Sequence, residues 1–590
     1  MFALLLCAEE TVKFQQGVFS TSYQGAYPNI WDMLVLFVVF AIIVVFALVA
    51  RQMGSPYHLG EPILIHLEPG YLPNYALHTV LRMFMAMGIS LLFTFVFGTW
   101  AAKSKHAERV IIPLVDVLQS VPILGFLSIT VPTFIGLFPH SLWGPECAAI
   151  FAIVTSQAWN MLLGFHQSLK SVPAELKEAS RMFHLNAWQR YWRVEVPVTI
   201  PSLLWNSMLS MSAAWFFVVA SEAISVNNQS IMLPGIGSYI ALAIASSDIS
   251  AILLAILTMF LVILLYDQLL FRPLLAWAEK FKSEINEDEA ESWVVDVFRN
   301  TRWCQRVGAF LATWRDLFIN ARVFPRKTTR QSYTEHYSPP YVAIGLVWLG
   351  NVLVYTAIVV SAWLFFRFMM NNATWQDVAE VCGLGFVTAF KILLLILLSS
   401  VLWIPIGVWI GLRPRVAVFV QPIAQFLAAF PANLLYPMVV VAIVRFNLNV
   451  NIWTAPLIVL GTQWYILFNV IAGTTIIPKE LLMATRLFGV HGWIKWRSVI
   501  LPAIFPYYIT GAMTAAGGAW NASIVAEVVS WGNETLQAAG LGSYISHTTA
   551  SGEVAKEVLG IVVMCMFVII INRLVWRPLY RLAEERFQVE

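Results

Sequence analysis

Apolar runs of roughly twenty residues, the length that carries a helix across a bilayer, recur along this chain between short segments rich in charge and aromatic rings. About twelve such runs are predicted helices: Ile30 to Ala50, Met83 to Ala102, Val110 to Leu137, Ala148 to Leu169, Pro197 to Ile224, Ile249 to Phe271, Tyr341 to Phe368, Phe386 to Leu412, Val416 to Val444, Ile452 to Ile476, Pro502 to Val529 and Val558 to Trp576. Several are longer than one span needs, so a kink or re-entrant turn is expected inside them. Charged residues are 12% of the 590, too few for a water-exposed surface, and the reading is an all-α polytopic membrane protein.

Charge placement orients the helices. With both termini in the cytoplasm, every one of the 36 Lys and Arg falls in a cytoplasmic segment except Arg51, Arg82, Arg367, Lys391, Arg445 and Lys556. "MFALLLC" has no charged n-region and too short an apolar run for a signal peptide, so the N-terminus is expected to stay inside. The net charge of +3 leaves no electrostatic footprint for a nucleic acid. Five scattered cysteines without CxxC spacing suggest neither a disulfide framework nor a metal site.

The chain also repeats itself. "VPAELKEASRMFHLNAWQRYWRVEVPVTIP" aligns without a gap on "IPKELLMATRLFGVHGWIKWRSVILPAIFP", placing Pro173 on Pro478, an offset of 305. The same offset carries Trp215 to Trp520, Glu222 to Glu527, "GIGSYI" to "GLGSYI" and "FRPL" to "WRPL"; upstream it becomes 309, as Thr79 and Arg82 meet Thr388 and Lys391 and Pro122 meets Pro431. Two parallel six-helix repeats are expected, residues 1–281 and 341–590, related by a pseudo-two-fold along the membrane normal with a pathway between them. The joining segment, residues 282–340, opens on an acidic run, and its apolar residues then recur at helical spacing, which favours a helix lying on the membrane surface.

The repeated loop, residues 173–197 and 478–502, resembles the EAA loop of the membrane-spanning subunits of ATP-binding-cassette (ABC) importers. The first copy reads Glu178-Ala179-Ser180, His184, Val194 and Val196-Pro197; the second reads Met483-Ala484-Thr485, Gly489, Val499 and Leu501-Pro502. The first departs from the pattern at His184, where the family has Gly, and the second at Met483, where it has Glu. His tolerates left-handed backbone better than most residues, and Asn186-x-x-Gln189 has the form of a capping box. "TVLRMFMAMG", "LQSVPILGFL" and the glutamate before "GIGSYI" widen the resemblance to permeases of the nitrate, sulfonate and taurine branch.

The resemblance implies a type I importer permease fold in the cytoplasmic membrane of a bacterium or archaeon. It implies a dimeric ATPase partner, two copies per chain, which binds the ATP and Mg. No GxxxxGK[ST] loop is present, so no cofactor is expected in this chain. A periplasmic or extracellular substrate-binding protein is a further possible partner. Coupling is expected to run through Glu178, Ala179, Arg181, His184, Trp188 and Arg190 in the first loop and Ala484, Arg486, Gly489, Trp493 and Lys495 in the second. Trp188, Tyr191, Trp192, Trp493 and Trp496 are either interface anchors or an interfacial aromatic belt.

For the pathway, Arg82 and Lys391 either form a positive ring at the outer mouth that attracts a small anion or snorkel to the headgroups. Glu222 and Glu527 either close a gate against them or cap a turn. Gln119, Ser120, Asn160, Asn206, Gln425, Gln463 and Asn521 are uncharged polar residues in or near spans, suited to inter-helix hydrogen bonds or to a ligand. The rival readings are a twelve-helix secondary transporter, whose usual Gly-Asp-Arg loop is missing from "AKSKHAER", and an ABC permease for iron(III) or thiamine.

Overall fold

The computed structural model describes residues 30–57, 63–119, 121–226, 229–278, 302–320, 374–532 and 534–586, with scattered positions between 356 and 372. The expected helix Tyr341 to Phe368 lies largely outside the described residues, as does Ser120. Among the described residues seven helices are long and apolar enough to cross a membrane, or nine if two bent pairs are each one span. A helix Ile30–Met53 also covers the first apolar run.

Three of the expected helices are broken, two of them at a proline. Val416 to Val444 is two helices, Pro414–Ala429 and Ala432–Arg445, that meet at 78°, and Ile452 to Ile476 is Val450–Leu460 and Trp464–Thr475, bent by 43°. In the first half, Val110 to Leu137 divides into Lys105–Leu118 and Leu127–Leu137 around a 3-10 turn, Ile123–Phe126. Pro122 and Pro431 sit at these breaks; proline lacks the N–H a helix needs and pushes the residue before it out of helical backbone, as at Phe430, whose ψ is 126°.

The breaks let the halves exchange pieces of core. Ile123, Val131 and Ala148 pack in the same buried cluster as Ala512, Trp520 and Met564, while Ala429 and Leu434 join the cluster of Met208, Trp215 and Tyr266. The two halves are therefore interlocked rather than merely adjacent.

Local irregularities repeat with the sequence. A π-helical turn at Tyr191–Glu195 recurs at Trp496–Ile500, and one at Asp267–Phe271 recurs at Asn572–Trp576, each 305 residues on. After the long helices Ala187–Glu222 and Gly492–Ala526 come two antiparallel hairpins, β1 (Ala223–Val226) with β2 (Gln229–Met232) and β3 (Val528–Trp531) with β4 (Glu534–Gln537). The helices expected to run on to Ile224 and Val529 thus end in strands. β-Branched residues flanking Asn227-Asn228 and Gly532-Asn533 carried that signal.

One packing contact is inverted between the halves. A Cβ on Gly164 would lie 2.4 Å from the Asn206 amide nitrogen, and one on Gly511 would lie 2.9 Å from the Asn469 Cβ. Since 164 + 305 = 469 and 206 + 305 = 511, glycine and asparagine have traded helices. The summed volume is kept and so is the close approach.

Candidate functional site

Each repeated loop is a helix, a left-handed residue and a second short helix. In the first copy the helix Ala174–Met182 ends at Phe183, and His184 has φ 53°. Asn186 then caps Ala187–Arg190 in a two-way box: its side chain accepts from Gln189 N at 2.7 Å, and Gln189 Oε1 accepts from Asn186 N at 3.1 Å. In the second copy Lys479–Leu487 ends at Phe488, Gly489 has φ 64°, and Gly492–Lys495 follows. His184 therefore occupies the backbone conformation that Gly489 occupies, and the turn is preserved.

The turn projects apolar side chains that the sequence patterns did not single out. Met182 and Phe183 are 81% and 78% exposed, and Leu487 and Phe488 are 86% and 83% exposed. An amphipathic helix that buries its other face leaves these two knobs outward because the left-handed residue reverses the chain there. Glu178, Arg181 and Arg486 are exposed beside them, with Ala179 and Ala484 half-buried. Trp493 is 70% exposed, whereas Trp188 is half-buried.

Tyr191 is not an outward anchor: it is buried, its hydroxyl 2.6 Å from Thr99 Oγ1, and Trp192 packs on Phe95. Behind the first loop, Glu195 is buried and bridges Lys103 and, at 3.4 Å, Arg190. The second loop is held otherwise: Ile500 stands where Glu195 is (195 + 305) and Leu412 where Lys103 is (103 + 309), both packed in the apolar core.

Arg82 corrects the expectation of a positive ring. It is fully buried, with Nε and Nη2 donating to the two oxygens of Glu146 at 2.6 Å each and Nη1 donating to Glu222 Oε1 at 2.7 Å. Fully buried, forked onto one carboxylate and bonded to a second, this guanidinium is paired inside the protein and reaches neither the headgroups nor a passing anion. Glu222 also accepts from Thr79 Oγ1 at 2.6 Å and Gly237 N at 2.6 Å. It pins the turn that leads from the hairpin into the helix Ile236–Ala245.

Such proximity explains "GIGSYI". A Cβ on Gly235 would sit 2.3 Å from the Glu222 carboxyl carbon, and a Cβ on Gly540 would sit 2.2 Å from the Glu527 oxygens. The second half keeps a looser version: Lys391 Nζ donates to Glu527 Oε1 at 3.3 Å and to Ala539 O at 2.6 Å, and Thr388 Oγ1 donates to Glu527 at 3.1 Å. Among the described residues no second carboxylate pairs with Lys391. Asn451, at 146 + 305, instead accepts from Ala539 N at 2.7 Å.

The uncharged polar residues mostly close helix contacts. Asn160 donates to Ser210 Oγ at 2.9 Å and Trp403 Nε1 donates to Gln463 Oε1 at 3.0 Å, whereas Asn206 donates to Ser202 O at 2.8 Å within its own helix. Two bridge the halves: Ile123 N donates to Asn521 Oδ1 at 2.7 Å, and Gln425 Nε2 contacts Met208 Sδ at 2.7 Å. Gln119 is exposed. Gln425 also lines a cleft between the halves with Trp215, Tyr266, Asp267, Phe271 and Phe426.

Comparison with known proteins gives this geometry a family. The model for binding-protein-dependent transport system inner membrane components matches residues 94–271 and again 403–588. The glycine betaine/proline betaine transport system permease protein ProW of Escherichia coli is 31% identical over 200 residues, 33% of this chain and 54% of that protein. The nitrate import permease protein NrtB of Synechocystis is 26% identical over 171 residues, 29% of this chain and 57% of that protein. The formylaminopyrimidine transport permease protein ThiX of Halalkalibacterium halodurans is 24% identical over 211 residues, 35% of this chain and 78% of that protein. The chain thus spans about half the length of the first two. With both matched stretches together covering more than half of it, the chain belongs to the family of binding-protein-dependent transport system inner membrane components and carries the family's domain twice.

Proposed function

We propose that this chain is the whole transmembrane part of an ATP-driven importer, with residues 1–281 and 341–590 each doing the work of one permease subunit and 282–340 joining them. The carrying observation is the pair of repeated loops whose knobs, Met182 with Phe183 and Leu487 with Phe488, stand exposed at the same left-handed turn. Apolar side chains of that size left in water mark a docking surface. Two equivalent surfaces suit a dimeric ATPase, one groove per loop, with both termini and both loops cytoplasmic. Nucleotide-driven closure of that dimer draws the loops together and turns the cleft between the halves outward, where a binding protein delivers solute.

The preferred solute is a small anion of the nitrate or sulfonate kind, on the strength of the nitrate permease relative and the "LQSVPILGFL" and "GIGSYI" resemblance. With Arg82 and Lys391 already engaged by carboxylates, recognition then falls to the polar residues of the cleft. A second reading, a zwitterionic quaternary ammonium solute, is favoured by the aromatic rings of Trp215, Tyr266, Phe271 and Phe426 gathered around that cleft.

Co-purification in mild detergent is expected to recover two ATPase copies per chain. ATPase stimulation of the assembled complex, screened across nitrate, sulfate, bicarbonate, taurine, thiamine and glycine betaine, separates the solutes. Robust gradient-driven transport by the chain alone defeats the importer reading, and stimulation by betaine alone defeats the anion.

A further inference from the structure

The joining segment contains a 19-residue helix, Arg302–Asn320, with two unlike faces. At 100° per residue, Phe310, Trp314 and Leu317 fall on one stripe, and they are 61%, 60% and 62% exposed. Ala312 and Ile319 fall on the opposite side and are buried. The helix is thus seated on the protein by one face and leaves the other uncovered.

Its C-terminal end is seated on the first coupling loop. The Phe318 ring meets Trp188 edge-on at 5.1 Å and Trp192 at 5.6 Å, and Trp188 Nε1 donates to Phe318 O at 3.0 Å. Asn320 Oδ1 accepts from both Gln189 Nε2 and Arg193 Nη2, each at 3.2 Å. The second loop offers no such seat. At the 305 offset Trp192 becomes Arg497, Gln189 becomes Ile494 and Arg193 becomes Ser498, so one ring and both long donors are gone.

The uncovered stripe has a natural occupant. The helix also packs against Ile30–Met53, an apolar helix of spanning length, so it lies at the level where the membrane meets the coupling loops. A Phe-Trp-Leu stripe there matches the apolar face of an interfacial helix. We infer that this helix is a bilayer-seated strap: Phe310, Trp314 and Leu317 enter the leaflet on the loop side while Phe318 and Asn320 hold the first coupling loop and not the second. The ATPase then meets one loop braced through lipid and one free to move.

Both contacts belong to this chain alone, so they are measured without the ATPase and fail independently of the transport reading. In a cysteine-free full-length chain in nanodiscs containing anionic lipid, Gln189→Cys with Asn320→Cys is expected to couple through a short bis-thiol reagent about tenfold faster than Ile494→Cys with Asn320→Cys, as proximity dictates. A spin label at Trp314→Cys is expected to be more accessible to oxygen than to a water-soluble nickel chelate, and to stay so when the ATPase is added. Equal coupling in the two pairs, or none in the first, overturns the strap. Free access of the chelate that ends only on adding the ATPase overturns the lipid seat and makes the stripe a protein interface.

Discussion

The two halves of this protein keep one geometry with two chemistries. Where the first holds its coupling loop through Lys103, Glu195 and Arg190, the second uses Leu412 and Ile500. Where the first packs Glu108 against Lys170 and His166, the second has Ala417 (108 + 309), Thr475 and Ile471 (170 and 166 + 305), with Ala417 and Ile471 in one apolar cluster. Left-handed turns, π-helical turns and hairpins are nevertheless shared. Duplication has therefore conserved what the backbone must do and let each half solve the burial of its contacts separately, by charge pairing or by apolar packing.

The sharpest way to break this comparison is at the paired cations. Arg82→Ala leaves Glu146 and Glu222 buried and unpaired, an expected loss of about 3–5 kcal/mol. Lys391→Ala leaves one buried carboxylate without its cation but with Thr388 and Ser543 as donors, an expected loss of about 1–3 kcal/mol. Thermal unfolding in detergent reads both; equal losses would mean the halves are energetically alike. Next in size, Gly235→Ala and Gly540→Ala each force a methyl onto a glutamate carboxyl, and each is expected to cost about 1–3 kcal/mol. Those two agree because both halves keep this close approach.

Smaller is the exchange at the loops. Gly489→His places a side chain at φ 64° with open space around it, so its cost is the left-handed backbone, on the order of 1 kcal/mol. His184→Gly removes a similar strain. Coupled ATPase and transport rates are expected to fall in the first variant and hold in the second, and equal rates in both would erase the asymmetry.

The smallest difference is in acid. Hydrogen bonding to Lys170 holds the half-buried Glu108 carboxyl below its ordinary value of 4.5. That pairing contributes fully above the ordinary value and is lost as pH falls through the lowered one. Glu108→Gln is expected to abolish the corresponding slope in stability as the pH falls below the ordinary carboxyl value, while Ala417→Gly leaves it in place.

Much of this is legible in the sequence. The spans follow from apolar runs of bilayer length, and the offset of 305 exposed the duplication because a fixed spacing leaves a trace that side-chain chemistry does not. The left-handed residue at His184 and the box of Asn186 with Gln189 were readable because capping is local: its partners lie three residues apart. By contrast, Arg82 read as an outer cation because sequence places a residue along a span but does not show what faces it. Glu146 lies 64 residues away on another helix.

Local pattern thus determined the class, where the apolar runs lie, the repeat and the two loops, since each rests on the chain's own pattern. Tertiary structure alone decided that Arg82 is paired with two glutamates, that Gly164 and Asn206 exchange roles with Asn469 and Gly511, and that the joining helix sits on the first loop. Those outcomes depend on which side chains meet across helices, where burial makes an unpaired charge or a misplaced methyl costly. No spacing along the chain encodes that meeting.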